Sequence, residues 1–285
     1  FPQGTDDGEY RKRIEIAYPI HPELFDQFYN SWSSVNRFQR TRGILRLMAK
    51  VVHELWVSND SSVMIMPGGI PVGAQEVSPE LTKYLANGWP AIISSDVDGP
   101  QSLPLNIDTG MPTLGQISAT RRVARAMFMA TAPLDGSQNP GIDQKLVNRA
   151  VSQPGDTIVR FSDALNRLAG RATYLHSDNG NYWYATAPSL NRMASDKAAQ
   201  LDANLVEEEI DNALRAFVSS DSTRNEFDGV HVAPSSSSDI PDELTGCRIV
   251  VLGVKHLHSS GSRTSDAMGE VRDIIAHRGS APRSF

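Results

Sequence analysis

One stretch of sequence is expected to organise the fold, Asn36-Arg-Phe-Gln-Arg-Thr-Arg-Gly-Ile-Leu-Arg-Leu-Met-Ala-Lys-Val-Val-His-Glu-Leu-Trp56. From Gly43 onward its apolar residues recur every three or four positions, which predicts a helix with one buried face. The predicted buried positions are Ile44, Leu47, Met48, Val51, Val52, Leu55 and Trp56. We expect this helix to lie in the hydrophobic core.

The other face of the same helix is basic. Arg42, Arg46 and Lys50 stand four residues apart, and Arg37 and Arg40 precede them. Like charges at this spacing repel each other, and the stretch contains no acidic residue before its last turn. Either carboxylates from elsewhere in the fold or a bound anion must therefore balance the charge, unless the face is simply solvated.

Composition limits the classes of protein. The chain has 285 residues, 40% of them hydrophobic, and a formal net charge of -6, so it is globular and any contact with nucleic acid needs a local basic patch. Cys247 is the one cysteine, which excludes an intrachain disulfide and a cysteine zinc site and indicates the cytoplasm. No apolar run predicts a membrane span. Because the sequence begins at Phe1 without Met, we expect a fragment of a longer protein.

The predicted class is α+β, mainly helical, in four segments. They are a helical lid-like segment (1–66), a helical and loop segment with an arginine-bearing helix (67–139), a winged-helix-like domain (140–200), and a helix with a small α/β part (201–285). Two short apolar runs, Ile14–Tyr18 and Trp89–Ile93, are predicted to be strands.

A second basic helix is predicted from Ser118 to Met129. Arg121 and Arg125 stand four residues apart on it, with Arg122 between them. A solvated surface is the alternative explanation for these charges.

The winged-helix prediction comes from two helices followed by a hairpin. The second helix starts at Thr157, and its outward positions carry the candidate DNA-binding residues Arg160, Arg167 and Arg171. Asn179-Gly180 is a strong hairpin signal between two short strands. Such a unit binds DNA in some proteins and serves as a packing module in others.

Motifs for catalysis are missing. The sequence has no phosphate loop, dinucleotide fingerprint, nucleophile elbow or His-Glu-x-x-His pattern. His256 and His258 lack a third metal ligand nearby, and Asp96 and Asp98 precede Gly99 in the manner of a turn. The chain alone is therefore predicted to have no catalytic residues and no metal site.

Several motifs resemble a family of large prokaryotic P-loop ATPases catalogued as domain of unknown function 499, which is encountered near DNA-modification and phage-defence genes. The resemblance covers residues 14–255. Its motifs are Ala17-Tyr-Pro-Ile-His-Pro-Glu-Leu24, Arg37-Phe-Gln-Arg-Thr-Arg-Gly-Ile-Leu-Arg-Leu-Met-Ala49, Leu103-Pro-Leu105, Arg121-Arg-Val-Ala-Arg125 and Tyr182-Trp-Tyr184. The resemblance implies a nucleotide-binding core located N-terminal to this segment, with ATP and Mg bound by the parent protein and neither bound by this fragment alone.

The wider resemblance to AAA-type ATPases implies a role for one arginine. Gly43-Ile-Leu-Arg46 matches the sensor-two pattern, in which the arginine of a lid helix contacts the phosphates of the nucleotide. Arg46 is the expected phosphate contact and Arg42 the second choice. Arg121 or Arg125 is a candidate contact to the nucleotide of a neighbouring subunit, which makes a homo-oligomer a candidate assembly.

The expected function is that of the non-catalytic lid and winged-helix portion of an ATP-hydrolysing AAA-like ATPase. The portion would couple nucleotide state to a partner, with DNA as the candidate, and its other partner would be the P-loop core of the parent chain. The alternatives are a DNA-binding module with no nucleotide role and a protein-interaction scaffold.

Overall fold

The computed structural model describes residues 5, 8–35, 38, 40–137, 141–220, 227–241, 246–261 and 263–278. The protein is α+β and mainly helical, as predicted. It divides into two compact units, which we call unit 1 (residues 1–196) and unit 2 (residues 197–285). The first three of the four expected segments lie almost entirely within unit 1.

Unit 1 holds most of the helices and one small sheet. Its helices are α1 (Gly8–Ala17), α2 (Pro22–Asn30), α3 (Arg40–Val57), α4 (Ser78–Thr82), α5 (Trp89–Ile92), α6 (Leu103–Gly110), α7 (Pro112–Gly115), α8 (Ala119–Thr131), α9 (Gln144–Val151) and α10 (Ile158–Ala169), and α11 (Leu190–Ala199) extends past its end. Its strands are β1 (Ile142–Asp143), β2 (Leu175–Asp178) and β3 (Asn181–Tyr184). A π-helical turn, Ile93–Val97, follows α5 directly.

Helix α8 is the central element of unit 1. It packs against α6, α9, α10, β3 and the short turn Pro67–Gly69. Its inner face is fully buried, as predicted, and consists of Val123, Ala124, Met127 and Phe128. The Phe128 ring lies between two buried indoles, 6.4 Å from Trp32 and 5.5 Å from Trp89 between ring centroids. These aromatic contacts join distant parts of the sequence in one core.

Helix α3 is confirmed, but its buried stripe is narrower than the periodicity predicts. Leu47, Met48 and Val51 are buried, whereas Val52 is 49% exposed and Trp56 is 83% exposed. Val52 and Trp56 therefore fit the apolar stripe by spacing, but no neighbouring element in the described residues covers them.

The strand predicted over Ile14–Tyr18 is wrong, because most of this run forms the last turn of α1. Tyr10 on the same helix is buried, and Arg11 pairs with Glu15 four residues later at 3.2 Å. Ion pairs at this spacing favour a helix over a strand.

The strand predicted over Trp89–Ile93 is also wrong. These residues form α5 and enter the π-helical turn, after Gly88 ends the preceding loop with a left-handed φ of 110°. Trp89, Ile92 and Ile93 are all buried. Pro90 and Ala91 between them are exposed, so the buried positions have helical spacing, but the exposed positions hold apolar residues and the sequence shows no polar side that would reveal it.

The predicted helix, helix and hairpin are confirmed. Strands β2 and β3 pair antiparallel, with Leu175 opposite Tyr184, and β1 pairs with the other edge of β3, giving the order β1-β3-β2. The turn needs left-handed backbone at Asn179 (φ 47°) and Gly180 (φ 80°), which these two residue types tolerate. Along the chain, the elements follow in the order α8, β1, α9, α10, β2, β3.

Unit 2 contains α12 (Ala203–Ser220), β4 (Gly229–Val232), β5 (Arg248–Val251) and α13 (Asp266–Arg278). The two strands are parallel, with Gly229 opposite Arg248 and Val232 opposite Val251. A helix with a small α/β part is what the sequence predicts for residues 201–285.

Candidate functional site

The basic face of α3 meets carboxylates from the segment that includes α4. Arg46 donates from Nε to Glu80 Oε1 at 2.6 Å and from Nη2 to the Tyr84 hydroxyl at 2.8 Å. Lys50 lies 3.3 Å from Glu76, and Lys83 also bonds to Glu80. The sequence left open whether carboxylates, a bound anion or solvent would balance this basic face. The structure shows carboxylates from elsewhere in the fold.

Glu80 is the centre of this cluster. Its side chain is only 7% exposed, and three cations lie within 4 Å of its oxygens. Burial alone would raise the pKa of this carboxyl, but hydrogen bonds from Lys83 and Arg46 outweigh it and hold the pKa below the ordinary value. Glu80 is therefore ionised at neutral pH and fixes the position of Arg46.

The remaining arginines near α3 have no such anchor. Arg42 is exposed and forms no ion pair among the residues that the structure describes. Arg37 and the side chain of Arg40 lie outside the described residues. Gly43 lies in the first turn of α3, where the Phe38 ring covers it and a methyl group would be 3.5 Å from that ring. This is an ordinary van der Waals distance, so packing against Phe38 does not require a glycine at this position.

The arginines of α8 meet at one buried carboxylate. Asp98 Oδ1 accepts from Arg121 Nη2 at 2.8 Å and from Arg125 Nη2 at 2.7 Å, and Asp98 Oδ2 accepts from the Gly73 N–H at 2.8 Å. The Asp98 side chain is 2% exposed. Asp98 thus holds two guanidinium groups against the loop that contains Gly73.

Arg122, between them in sequence, points to a different partner. It donates to Asp156 Oδ2 at 2.7 Å and to the Val151 carbonyl, and its guanidinium lies 5.0 Å from the centre of the Phe161 ring. Asp156 lies just before α10, and Phe161 lies on that helix. Arg122 therefore connects α8 directly to the start of α10.

These three arginines line the same cleft, which has a volume of about 710 Å³. Its other walls are the glycine-rich loop from Gly68 to Ala74, the turn Gln116–Ser118, and the segment from Glu54 to Ser62. We call it the α8 cleft.

Arg160 and Arg167 of the candidate DNA-binding arginines lie on α10, whereas Arg171 lies in the turn after it, because the helix ends at Ala169 and Gly170 caps it. Phe161, Ala164, Leu165 and Leu168 are fully buried on the inner side of α10. On the outer side, Arg167 pairs with Asp163 at 2.9 Å, whereas Arg160 and Arg171 form no ion pair within the described residues. Their guanidinium groups have no carboxylate partner that a phosphate would have to displace.

The structure places the predicted residues in three separate groups. Arg46 is held by Glu80, Arg121 and Arg125 by Asp98, and Arg167 by Asp163. The predicted spacing within each helix was sufficient to find each group, but no spacing could identify Asp98 or Asp156 as partners.

Sequence reasoning also missed a buried polar cluster that joins α1, α2 and α9. The Tyr10 hydroxyl donates to Glu23 at 3.3 Å, and Arg149 Nε lies 3.5 Å from the same carboxylate oxygen. His21 caps α2 by accepting the Glu23 N–H, and burial lowers the pKa of its imidazole to about 4. The residues come from three elements, so no local signal in the sequence identifies them.

The sequence matches the family described as DUF499 second domain over residues 4–184. The chain therefore belongs to this family. No curated protein and no solved structure matches it.

The described residues contain no group of three or more His, Cys, Asp or Glu side chains placed to hold a metal ion. Within the same ranges, no helix combines the length and apolar character that crossing a membrane requires.

Proposed function

We propose that this chain is the non-catalytic lid and winged-helix portion of an ATP-hydrolysing, AAA-like P-loop ATPase, and that its helix, helix and hairpin contact DNA. The observation that carries the DNA contact is the chain order α8, β1, α9, α10, β2, β3 with the sheet order β1-β3-β2. This is the order of a winged helix, in which the last helix enters a groove and the hairpin lies along the backbone.

Local charge supports the same proposal. The segment from residue 118 to 186 carries eight arginines and lysines against five aspartates and no glutamate, although the whole chain has a net charge of -6. Three of these eight cations are the α8 arginines that pair with Asp98 and Asp156, so the charge available to DNA comes mainly from Arg160, Arg167 and Arg171.

The outer side of α10, with the turn after it, supplies suitable chemistry for both kinds of DNA contact. Arg160 and Arg171 would bond phosphates, since their charges are not paired with carboxylates in the described residues. Asn166 is exposed between them, and an asparagine in the major groove can bond both edge atoms of adenine. Arg167 would first have to leave Asp163, at a small cost because the pair is exposed.

The test is DNA binding by this chain, measured by fluorescence anisotropy with a labelled duplex. Arg160→Ala and Arg171→Ala should each weaken binding about threefold to tenfold, as expected for loss of one phosphate contact. Arg11→Ala is the control, because Arg11 is an exposed arginine on α1. Binding that is absent in the unmodified chain, or equally weakened by all three substitutions, would contradict the DNA role.

The nucleotide role rests on Arg46. The side chain is 52% exposed and is oriented by Glu80 and Tyr84, so it is already held in one position without being buried. An arginine of this kind can bond phosphate oxygens in a fork, and charge developing on a transferred phosphoryl group would strengthen the contact.

Hydrolysis of ATP by the longer parent protein tests this role. Arg46→Ala should lower turnover by about a hundredfold, as removal of a transition-state contact does, while Lys50→Ala is the charge control on the same face. Unchanged turnover in a folded Arg46→Ala protein would leave the DNA-binding module without a nucleotide role as the surviving proposal.

A further inference from the structure

The arginines of the α8 cleft carry more positive charge than their partners balance on that wall. Arg121 and Arg125 share the single carboxylate of Asp98, and both bond to the same oxygen, Oδ1. Arg122 is paired separately with Asp156. Asp108 accepts the backbone N–H groups of Thr120 and Arg121 but pairs with none of the three guanidinium groups in the described residues, so three arginine side chains share two carboxylates.

Arg125 is the least satisfied of the three. Its side chain is 16% exposed, yet within the described residues its guanidinium makes one hydrogen bond, from Nη2 to Asp98, and its buried Nε has no acceptor. Burial of a charge is costly unless its donors are bonded. The buried Nε is out of reach of a ligand in the open cleft, whereas the exposed part of the guanidinium can donate to an oxyanion there.

The opposite wall leaves room for that anion. A side chain at Gly73 would collide with the Asp98 carbonyl, and one at Gly68 would lie 2.7 Å from the Arg122 carbonyl, so close packing on the Asp98 backbone explains the first glycine and close packing on α8 the second. Gly69 is different, because a methyl group there would meet no atom within 4 Å. Its backbone is not left-handed either, so nothing in the fold requires a glycine at this position.

The acidic residues of the cleft define where the anion would lie. Glu54 and Asp60 line the side contributed by α3 and the segment after it, and neither pairs with the three arginines in the ranges that the structure describes. They would repel an anion from that side and leave the α8 side as the binding wall.

We propose that the α8 cleft binds a phosphate-bearing small molecule of nucleotide size, with its phosphate on Arg121 and Arg125 and its remaining atoms along the bare surface at Gly69. The cleft volume of about 710 Å³ lies within the range of ligand sites, roughly 300–1,000 Å³. Guanidinium is suited to this role because its planar fork matches phosphate oxygens. The site is distinct from Arg46 and does not depend on DNA binding.

Isothermal titration calorimetry of this chain with inorganic pyrophosphate, and separately with ADP, tests the proposal. We expect saturable binding at one site. Gly69→Leu fills the cleft without removing a charge and should weaken binding about tenfold or more, since the ligand and the new side chain would compete for the same space. Gly110→Leu is the matched control, because Gly110 also has open space around it and an ordinary φ but lies outside the cleft.

Arg125→Gln gives an independent measurement, provided that circular dichroism shows the same helix content as the unmodified chain. Arg125→Gln should abolish saturable binding, because a neutral amide replaces the guanidinium group. Stronger binding of ADP than of pyrophosphate would identify a nucleoside as the occupant of the remaining volume, and equal binding would identify phosphate alone. The absence of saturable heat with both probes, or unchanged affinity in Gly69→Leu, would overturn the proposal.

Discussion

Replacement of Asp98 by asparagine tests whether one carboxylate organises the arginines of α8. Asn is nearly the same size as Asp, so packing is preserved and the charge alone is removed. Two guanidinium groups would then face an amide that can accept with one oxygen atom in place of two and that turns N–H donors toward other donors. The hydrogen bond from the Gly73 N–H to Oδ2 would also be at risk.

The magnitude follows from burial. Breaking a buried ion pair by removing one partner costs about 3–5 kcal/mol, because the other charge is left buried and unpaired. Here the carboxylate is 2% exposed, but Arg121 is 30% and Arg125 16% exposed, so both can regain some solvation. We therefore expect a loss of about 2–4 kcal/mol in the free energy of unfolding, or roughly 5–15 °C in the melting temperature of a unit this size.

Urea unfolding followed by tryptophan fluorescence is the appropriate assay. The four tryptophans, Trp32, Trp56, Trp89 and Trp183, all lie in unit 1, so the signal reports the unit that contains Asp98. Asp60→Asn is the matched control, because Asp60 lines the same cleft but bonds only to the nearby Ser62 N–H among the described residues. We expect the control to change stability by less than about 1 kcal/mol.

A loss below about 1 kcal/mol for Asp98→Asn would refute the reasoning. It would mean that the two arginines are stable without the carboxylate and that the unbalanced charge inferred for the α8 cleft is not a real cost. A loss in the expected range, with a silent control, would establish Asp98 as the residue that fixes both guanidinium groups.

Three further predictions concern stability. Burial lowers the folded-state pKa of His21 from 6.5 to about 4, so between these pH values the unfolded chain binds the proton more tightly than the folded chain. The free energy of unfolding should therefore be full above pH 6.5 and fall by up to about 3 kcal/mol toward pH 4, as measured by urea titrations across pH. His21→Asn should remove most of that pH dependence. Tyr184→Phe removes the hydroxyl that donates to the Asp96 carbonyl at 2.7 Å and should cost about 1–3 kcal/mol in the same assay at neutral pH, a cost near zero arguing against the bond. Gly180→Val forces a β-branched residue into left-handed backbone and should lower the melting temperature through a loss of about 1–2 kcal/mol or more, whereas an unchanged melting temperature would mean that the turn can adopt another conformation.

The elements that the sequence predicts correctly are those with a local signal. α3 and α8 have apolar residues at helical spacing over three turns or more, and the hairpin has Asn179-Gly180 between two short runs rich in aromatic residues. Each signal lies within a few residues of the element that it specifies. These elements therefore need no knowledge of the rest of the fold.

The failures occur where tertiary packing decides. In the run from Trp89 to Ile93 the exposed positions, Pro90 and Ala91, are apolar like the buried ones, so the sequence has no polar face to reveal the helical period. On α3 the sequence predicts a buried residue that the structure leaves exposed. Trp56 fits the apolar stripe of the helix but is 83% exposed, because no element in the described residues covers it.

The candidate sites show the same limit. Periodicity identifies which arginines share a helix face, but the partner of Arg46 is 34 residues away and the partner of Arg121 is 23 residues away. Only the fold brings those carboxylates into contact. The sequence does not tell which arginines have a carboxylate partner and which are free to bind an anion. In the described residues Arg160 and Arg171 have no such partner, whereas Arg46 on α3 and the arginines of α8 do.

The most direct test of the account is the salt dependence of DNA binding by this chain. Each phosphate contact by a cation contributes about -0.9 to the slope of log affinity against log salt concentration, so contacts by Arg160, Arg171 and Arg167 predict a slope of about -2 to -3. The double substitution Arg160→Ala with Arg171→Ala should reduce the magnitude of that slope by about 2. No binding, or a slope that the double substitution leaves unchanged, would contradict the assignment of α10 as the DNA-contacting helix.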